Sequence, residues 1–113
     1  MISVIIPAYN AARTIGRCLA SLEGQAGLAE VIVVDDASED QTGALAARAP
    51  GMTVVRHALN RGPAAARNLG VAHASGDLLV FLDSDAVVTD RDWLMKHAAA
   101  HVREERIVGG GVI

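Results

Sequence analysis

The sequence predicts an α/β fold, a mainly parallel sheet with helices on both faces. Three observations carry that expectation. The strand-like runs Val31-Ile32-Val33-Val34 and Leu78-Leu79-Val80-Phe81-Leu82 are continuously apolar rather than alternating, the pattern of strands buried on both faces. Segments of helical period separate the strand-like runs, as in repeated strand–helix units. The 113 residues are 51% hydrophobic and 20% charged, which fits one globular domain with a real core.

The elements follow in order. Ser3 to Ile6 is an apolar strand that Pro7 should end. Ala11 to Leu22 carries Ile15, Cys18, Leu19 and Leu22 at helical spacing, with Asn10 as its expected N-cap. Val31 to Val34 is the second strand. Asp40 to Arg48 is a short helix closed by Pro50-Gly51. Met52 to Arg56 is the third strand. Pro63 stands at a favoured first-turn position and opens a helix to about Ala74. Leu78 to Leu82 is the fourth strand, bounded by Gly76-Asp77. Thr89-x-x-Asp92 has the form of a capping box for a helix to about Glu105. Ile107 to Ile113 reads as a further strand, weakened by Gly109-Gly110-Gly111. There are no internal repeats, low-complexity tracts or charge blocks, and no domain boundary.

Composition excludes several function classes. The net charge of −3 argues against a nucleic-acid backbone as partner. No apolar run approaches the roughly 20 residues that span a bilayer. The start, Met1-Ile2-Ser3-Val4-Ile5-Ile6-Pro7, has no basic region and runs directly into a strand pattern, unlike a signal peptide. A cytoplasmic protein is the expectation. Cys18 is the single cysteine, so no internal disulfide forms, and its place on the apolar side of a helix makes it a core residue.

The chemistry concentrates at strand ends. The run Val80-Phe81-Leu82 ends in Asp83-Ser84-Asp85, and in extended geometry side chains at i and i+2 point the same way. Two oxygen donors with no nearby Cys suit a hard cation, Mg²⁺ or Mn²⁺. The plainer reading is a pair of solvated aspartates in a turn, or a helix cap. Polar groups also follow the first strand, at Pro7-Ala8-Tyr9-Asn10, and the second, at Asp35-Asp36-Ala37-Ser38. In a parallel sheet all three ends lie along one edge, where open α/β sheets bind ligands. The first loop has no glycine, which counts against the dinucleotide-binding fingerprint despite Asp36.

Taken together these stretches resemble a known family. Ser3-Val4-Ile5-Ile6-Pro7-Ala8-Tyr9-Asn10, then Val33-Val34-Asp35-Asp36-Ala37-Ser38-Glu39-Asp40-Gln41-Thr42, then Asn60-Arg61-Gly62 with Ala66-Arg67-Asn68-x-Gly70, then Phe81-Leu82-Asp83-Ser84-Asp85 are similar, in order, to the signatures of family 2 glycosyltransferases. The familiar second motif has Gly at the position of Ala37, a small change. The resemblance implies a GT-A fold, with this chain as its Rossmann-like, nucleotide-sugar-binding half. It implies that Tyr9 flanks the nucleobase of a UDP-sugar donor and that Pro7 shapes the pocket. Asp36 would accept a hydrogen bond from the base. Asp83 would lie near ribose or metal, and Asp85 would bind the cation, Mg²⁺ or Mn²⁺, that bridges the diphosphate. Arg67 is a further candidate for the diphosphate, and Asp35 is expected to brace its turn. Gly62 and Gly70 are assigned to the turn and to close helix packing, and Trp93 to the core. His97 and His101 are read as face residues rather than a metal pair.

Inverting members of the family draw their catalytic carboxylate and most acceptor contacts from the half that follows. The expectation is therefore a donor-binding half with no assignable base, inactive alone and prone to self-association through an uncovered apolar edge. Membrane attachment through a missing segment stays open. Two alternatives accompany this reading. A haloacid dehalogenase-type phosphatase would use Asp83 as nucleophile. A non-catalytic nucleotide-binding module would use the same pocket without turnover.

Overall fold

The computed structural model describes residues 2–100. Within them run β1 (Ile2–Ala8), α1 (Ile15–Ala20), β2 (Leu28–Asp35), α2 (Thr42–Arg48), β3 (Met52–Arg56), α3 (Pro63–His73), β4 (Leu78–Phe81) and α4 (Trp93–Ala100). The four strands form one sheet in the order β3-β2-β1-β4, and every pairing is parallel. The chain lays down β1, β2 and β3 outward, then crosses back through α3 to place β4 on the other side of β1. That reversal makes a topological switch point between β1 and β4.

The continuous apolar strands divide their side chains between two cores. On one face Ile2, Val4, Ile6 and Ala8 of β1 and Val31 and Val33 of β2 pack with Ile15, Cys18, Leu19 and Leu22 around α1, with Ala46 of α2 and with Leu94 of α4. On the other face Ile32 and Val34 pack against Ala66 of α3. This second layer is thin because α3 presents small residues. A Cβ at Gly70 would lie 2.4 Å from Ile5 Cγ2, so the helix seats on the sheet only because glycine stands there.

Several expected boundaries shift for identifiable reasons. Pro7 does not end β1; it lies inside it, paired with Val34. Ile5 faces β4, since its carbonyl accepts from Leu82 N–H at 3.0 Å, and Pro7 has the same parity. β4 pairs with β1 only through Ile5, so the N–H that proline lacks would have met no strand. The helical spacing from Ala11 to Leu22 yields a helix of six residues, with turns on either side. Asn10 is not its N-cap. Asn10 sits at φ 51°, and its side-chain oxygen accepts from the Glu39 N–H at 2.9 Å. Asp40 lies before α2 rather than in it and accepts from the Thr42 N–H at 2.9 Å. The chain enters α4 through bonds to Asp90 rather than Thr89. The Asp90 carboxylate accepts from Asp92 N–H at 2.9 Å and from Lys96 Nζ at 2.7 Å, and its carbonyl accepts from Trp93 N–H at 2.9 Å.

The start of α4 is also tied to the loop after α1. Buried Gln25 donates to Asp90 O at 2.6 Å and accepts from Leu94 N–H at 2.9 Å. Trp93 packs on the core as expected and stacks on His97, ring centroids 5.1 Å apart. The expected strand Ile107–Ile113, the end of the helix near Glu105 and His101 lie outside the described residues.

Candidate functional site

The carboxyl ends of β1, β2 and β4 meet at the switch point, and two adjoining cavities open there. The smaller, about 260 Å³, is lined by Pro7, Ala8, Tyr9, Asp36, Asn60, Gly62, Pro63 and Ala66. The larger and more polar one, about 470 Å³, includes Asn10, Thr14, Arg67, Asp83, Ser84 and Asp85. Pro7, Tyr9 and Pro63 line both, so the cavities are two parts of one crevice. Every residue singled out by sequence as a donor or metal contact lies in it: Pro7 and Tyr9 between the parts, Asp36 in the smaller, Arg67, Asp83 and Asp85 in the larger.

Asp36 is 3% exposed and thoroughly bonded. Its Oδ1 meets His57 Nδ1 at 2.7 Å and accepts from the Arg61 N–H at 3.0 Å, while Oδ2 accepts from the Gly62 N–H at 2.8 Å. Burial pushes its pKa up, but the hydrogen bonds from Arg61, His57 and Gly62 outweigh that and hold it below the usual carboxylate value. An ionised carboxylate offers about four acceptor positions. Three are taken by described residues, which leaves one position on Oδ2. Gly62 sits at φ 95°, ψ 166°, a conformation essentially confined to glycine, which is how its N–H reaches Asp36.

Asp35 has the bracing role expected of it. Its side chain is 1% exposed, accepts from the Ser38 N–H at 2.9 Å and pairs with the Arg56 guanidinium. Ala37, between Asp36 and Ser38, sits at φ 62°. The exchange of glycine for alanine there is thus larger in backbone terms than its side-chain size suggests.

Asp83 and Asp85 differ from Asp35 and Asp36. Both are exposed, and no hydrogen bond or ion pair from another described residue reaches their carboxylates or the Arg67 guanidinium. They converge by a route other than extended geometry. β4 ends at Phe81, and a turn closed by Ala86 N–H on Asp83 O at 3.0 Å brings both carboxylates to the same cavity. Cys18 lies beneath this turn, its Sγ 3.5 Å from Asp83 O. Burial, with the Asp85 and Asp83 charges, pushes its thiol up to about 11, so it is an inert core residue.

Asn60, Pro63 and the whole loop after β3 were not foreseen as site residues. The signal was present: the polar stretch His57 to Gly62 follows a parallel strand, and so lies on the same edge as the other three loops.

The match to known proteins agrees with this geometry. The family model described as Glycosyl transferase family 2 matches residues 3–113. The chain belongs to glycosyl transferase family 2. One relative, the succinoglycan biosynthesis protein ExoO of Rhizobium meliloti (strain 1021), is 46% identical over 90 residues, covering 77% of this chain and 26% of the relative. Among solved structures, the mannosyltransferase PcManGT of Pyrobaculum calidifontis, in complex with GDP-Man and Mn²⁺, superposes with TM-score 0.83 at 33% identity, covering 91% of this chain and 32% of that one. Glucosyl-3-phosphoglycerate synthase of Mycobacterium tuberculosis, in complex with Mn²⁺, UDP and glucosyl-3-phosphoglycerate, gives TM-score 0.77 at 28% identity, covering 93% of this chain and 40% of that one. The family 2 chain described here has the GT-A fold and spans a quarter to two-fifths of the length of these relatives. Membership sets the phosphatase alternative aside. Among the described residues no helix is long and apolar enough to cross a membrane.

Proposed function

We propose that this chain binds a nucleotide-diphosphate sugar, a UDP-sugar, together with Mg²⁺ or Mn²⁺, as the donor half of an inverting glycosyltransferase. The observation that carries the reading is the crevice itself, a small, largely apolar cavity holding one ionised acceptor beside a larger polar cavity holding an arginine and two carboxylates that no other described residue bonds.

The two parts suit the two ends of a nucleoside diphosphate. Tyr9 and Pro7 form an apolar wall for a base. The remaining acceptor position of Asp36 selects a base with a ring N–H, as in uracil, over adenine, whose ring nitrogens at that edge only accept. Arg67 lies where it can bind phosphate oxygens. The residues fit a divalent cation: Asp83 and Asp85 are hard oxygen donors, and no cluster of three His, Cys, Asp or Glu exists among the described residues to close the site. Phosphate oxygens and water would fill the other positions, the open arrangement usual for Mg²⁺. When bound, such an ion stabilises charge on the departing diphosphate as a Lewis acid. The Mn²⁺ complexes of the neighbouring structures support the same reading.

Acceptor positioning and the general base are assigned to the part of such enzymes beyond the region matched here. Among the described residues the carboxylates of the crevice are assigned to base and metal, so this chain alone is expected to bind donor without multiple turnover.

Titration calorimetry tests the proposal. UDP should bind with Mn²⁺ and lose at least about tenfold in affinity with chelator or in Asp85→Ala, the scale of losing a metal-site contact. Asp36→Asn should narrow the preference for UDP over ADP. Equal UDP affinity in all conditions would remove the metal role, and multiple-turnover glycoside formation by the chain alone would show that a base lies within it.

A further inference from the structure

Ser38-Glu39-Asp40-Gln41-Thr42 follows β2, yet none of these residues lines either cavity. Their polar groups turn instead toward the loop after β1. Ser38 Oγ accepts from the Asn10 N–H at 2.9 Å, Thr42 Oγ1 from the Ala11 N–H at 2.7 Å and Asp40 Oδ2 from the Ala12 N–H at 3.1 Å. In return the Glu39 N–H donates to Asn10 Oδ1 at 2.9 Å. Just before this run the Asp36 N–H donates to Ala8 O at 2.9 Å. Asp40 Oδ1 also holds Thr42, through its N–H at 2.9 Å and its hydroxyl. Three consecutive N–H groups, of Asn10, Ala11 and Ala12, are thus each received by a different side chain of the neighbouring loop.

Tyr9 stands at the centre of this clasp. The carbonyl before it and the N–H after it are both bonded to the β2–α2 connection, and Asn10 is held at φ 51°. Tyr9 is 47% exposed, walls both cavities and makes no side-chain hydrogen bond of its own among the described residues. Its position is set by its backbone, and its backbone is set by the clasp. Thr42 is 0% exposed and Ser38 5%, so their bonds are shielded from competing water.

We propose that Ser38, Asp40 and Thr42 are positioning residues for the nucleotide site, acting through Tyr9. They fix the entry of the β1–α1 loop so that the aromatic wall is in place before ligand arrives, lowering the ordering cost of binding. The inference rests on the nucleotide-binding reading above. It predicts that these three residues affect affinity although they touch no part of the ligand.

The experiment is a set of UDP titrations in Mn²⁺ with wild type, Thr42→Val, Thr42→Ser, Tyr9→Ala and Thr42→Val/Tyr9→Ala. Thr42→Val keeps the shape but removes the acceptor, and should weaken UDP by about fivefold or more, within the coupling range for residues in one network. Thr42→Ser keeps the oxygen and should restore affinity to within about twofold. In the Tyr9→Ala background Thr42→Val should change affinity by less than about twofold, since the wall it positions is gone. Full affinity in Thr42→Val, or effects that multiply in the double variant, would overturn the proposal. Should Thr42→Val not fold, Ser38→Ala makes the same comparison. Amide exchange provides a readout without ligand: residues 9–12 should exchange faster in the variants while the β1–β2 ladder stays protected. If wild type binds no UDP, the nucleotide reading fails by itself, and exchange unchanged at residues 9–12 would then refute the clasp independently.

Discussion

Replacing Gly70 by alanine probes the packing that holds the crevice open at its α3 side. Two effects oppose each other. Gly→Ala in a helix interior is favourable by about 1 kcal/mol. Against that, the added Cβ would stand 2.4 Å from Ile5 Cγ2 and 3.2 Å from Val34 Cγ2, where carbon atoms settle at about 3.5–4.0 Å. Ile5 and Val34 are both 0% exposed, and their β-branched side chains have little rotamer freedom with which to yield. Overpacking of this kind costs about 1–3 kcal/mol, and a contact this short belongs in the upper part of that range. The net expectation is a loss of about 1–2 kcal/mol, read as a lower urea midpoint at unchanged slope. Because α3 also carries Pro63, Ala66 and Arg67 into the crevice, its displacement should weaken UDP binding as well. Ile5→Ala removes the opposing methyl, so the double variant should lose at least about 1 kcal/mol less than the sum of the two single changes. A Gly70→Ala protein as stable as wild type, or strict additivity with Ile5→Ala, would refute the close-packing account.

Two further outcomes follow from the backbone and the buried thiol. Ala37→Gly should raise stability by about 1 kcal/mol in urea unfolding, since alanine at φ 62° carries the left-handed penalty and the glycine does not; an unchanged midpoint would mean the loop relieves the strain elsewhere. Cys18 is held protonated in the fold up to about pH 11 but ionises near 9.0 in the unfolded chain, so its contribution is intact below pH 9 and lost as pH rises to 11, by up to about 3 kcal/mol; the fall should be shallower in Cys18→Ala, and parallel pH profiles for the two proteins would refute it.

Much of this architecture is legible in the sequence because buried parallel strands leave a strong trace. Val31–Val34 and Leu78–Leu82 have no polar residue to divide their faces; the first feeds both cores, and Val80 and Leu82 of the second lie in the larger one. Met52–Arg56 matches the observed strand to the residue. What local pattern misjudges is anything decided by a neighbour. Pro7 looks like a strand terminator until the length of β4 shows that its missing N–H faced no partner. Asn10 looks like a cap until the loop after β2 is found to hold it in the left-handed region. Thr89 has the spacing of a capping box, but the bonds at the start of α4 come from Asp90 and from Gln25, which is distant in sequence. The candidate contacts, from Pro7 to Asp85, were legible because strand ends of a parallel sheet share an edge. The clasp was not legible, because nothing local says that Ser38, Asp40 and Thr42 point away from the cavity they adjoin.

The four aspartates along this edge show why residue type alone does not set a role. Asp35 and Asp36 are surrounded by donors, which fix them in place and keep their charge compensated. Asp83 and Asp85 receive none from the described residues, so their charge faces the cavity. Against these two negative charges the lining offers one cation among the described residues, Arg67. A diphosphate entering the larger cavity adds more negative charge. At an effective dielectric of about 20, each like-charge pair 4 Å apart costs about 4 kcal/mol, and one arginine offsets only part of that. The larger cavity taken alone would therefore repel the diphosphate proposed as its ligand. A divalent cation held by Asp83 and Asp85 would offset both sets of repulsions. On this reasoning the proposed cation dependence is set by the charge of the crevice itself. Neutralising Asp83 and Asp85 together would weaken Mn²⁺-assisted binding and strengthen whatever UDP binding remains in chelator, an opposite pair of effects that simple damage to the pocket would not produce.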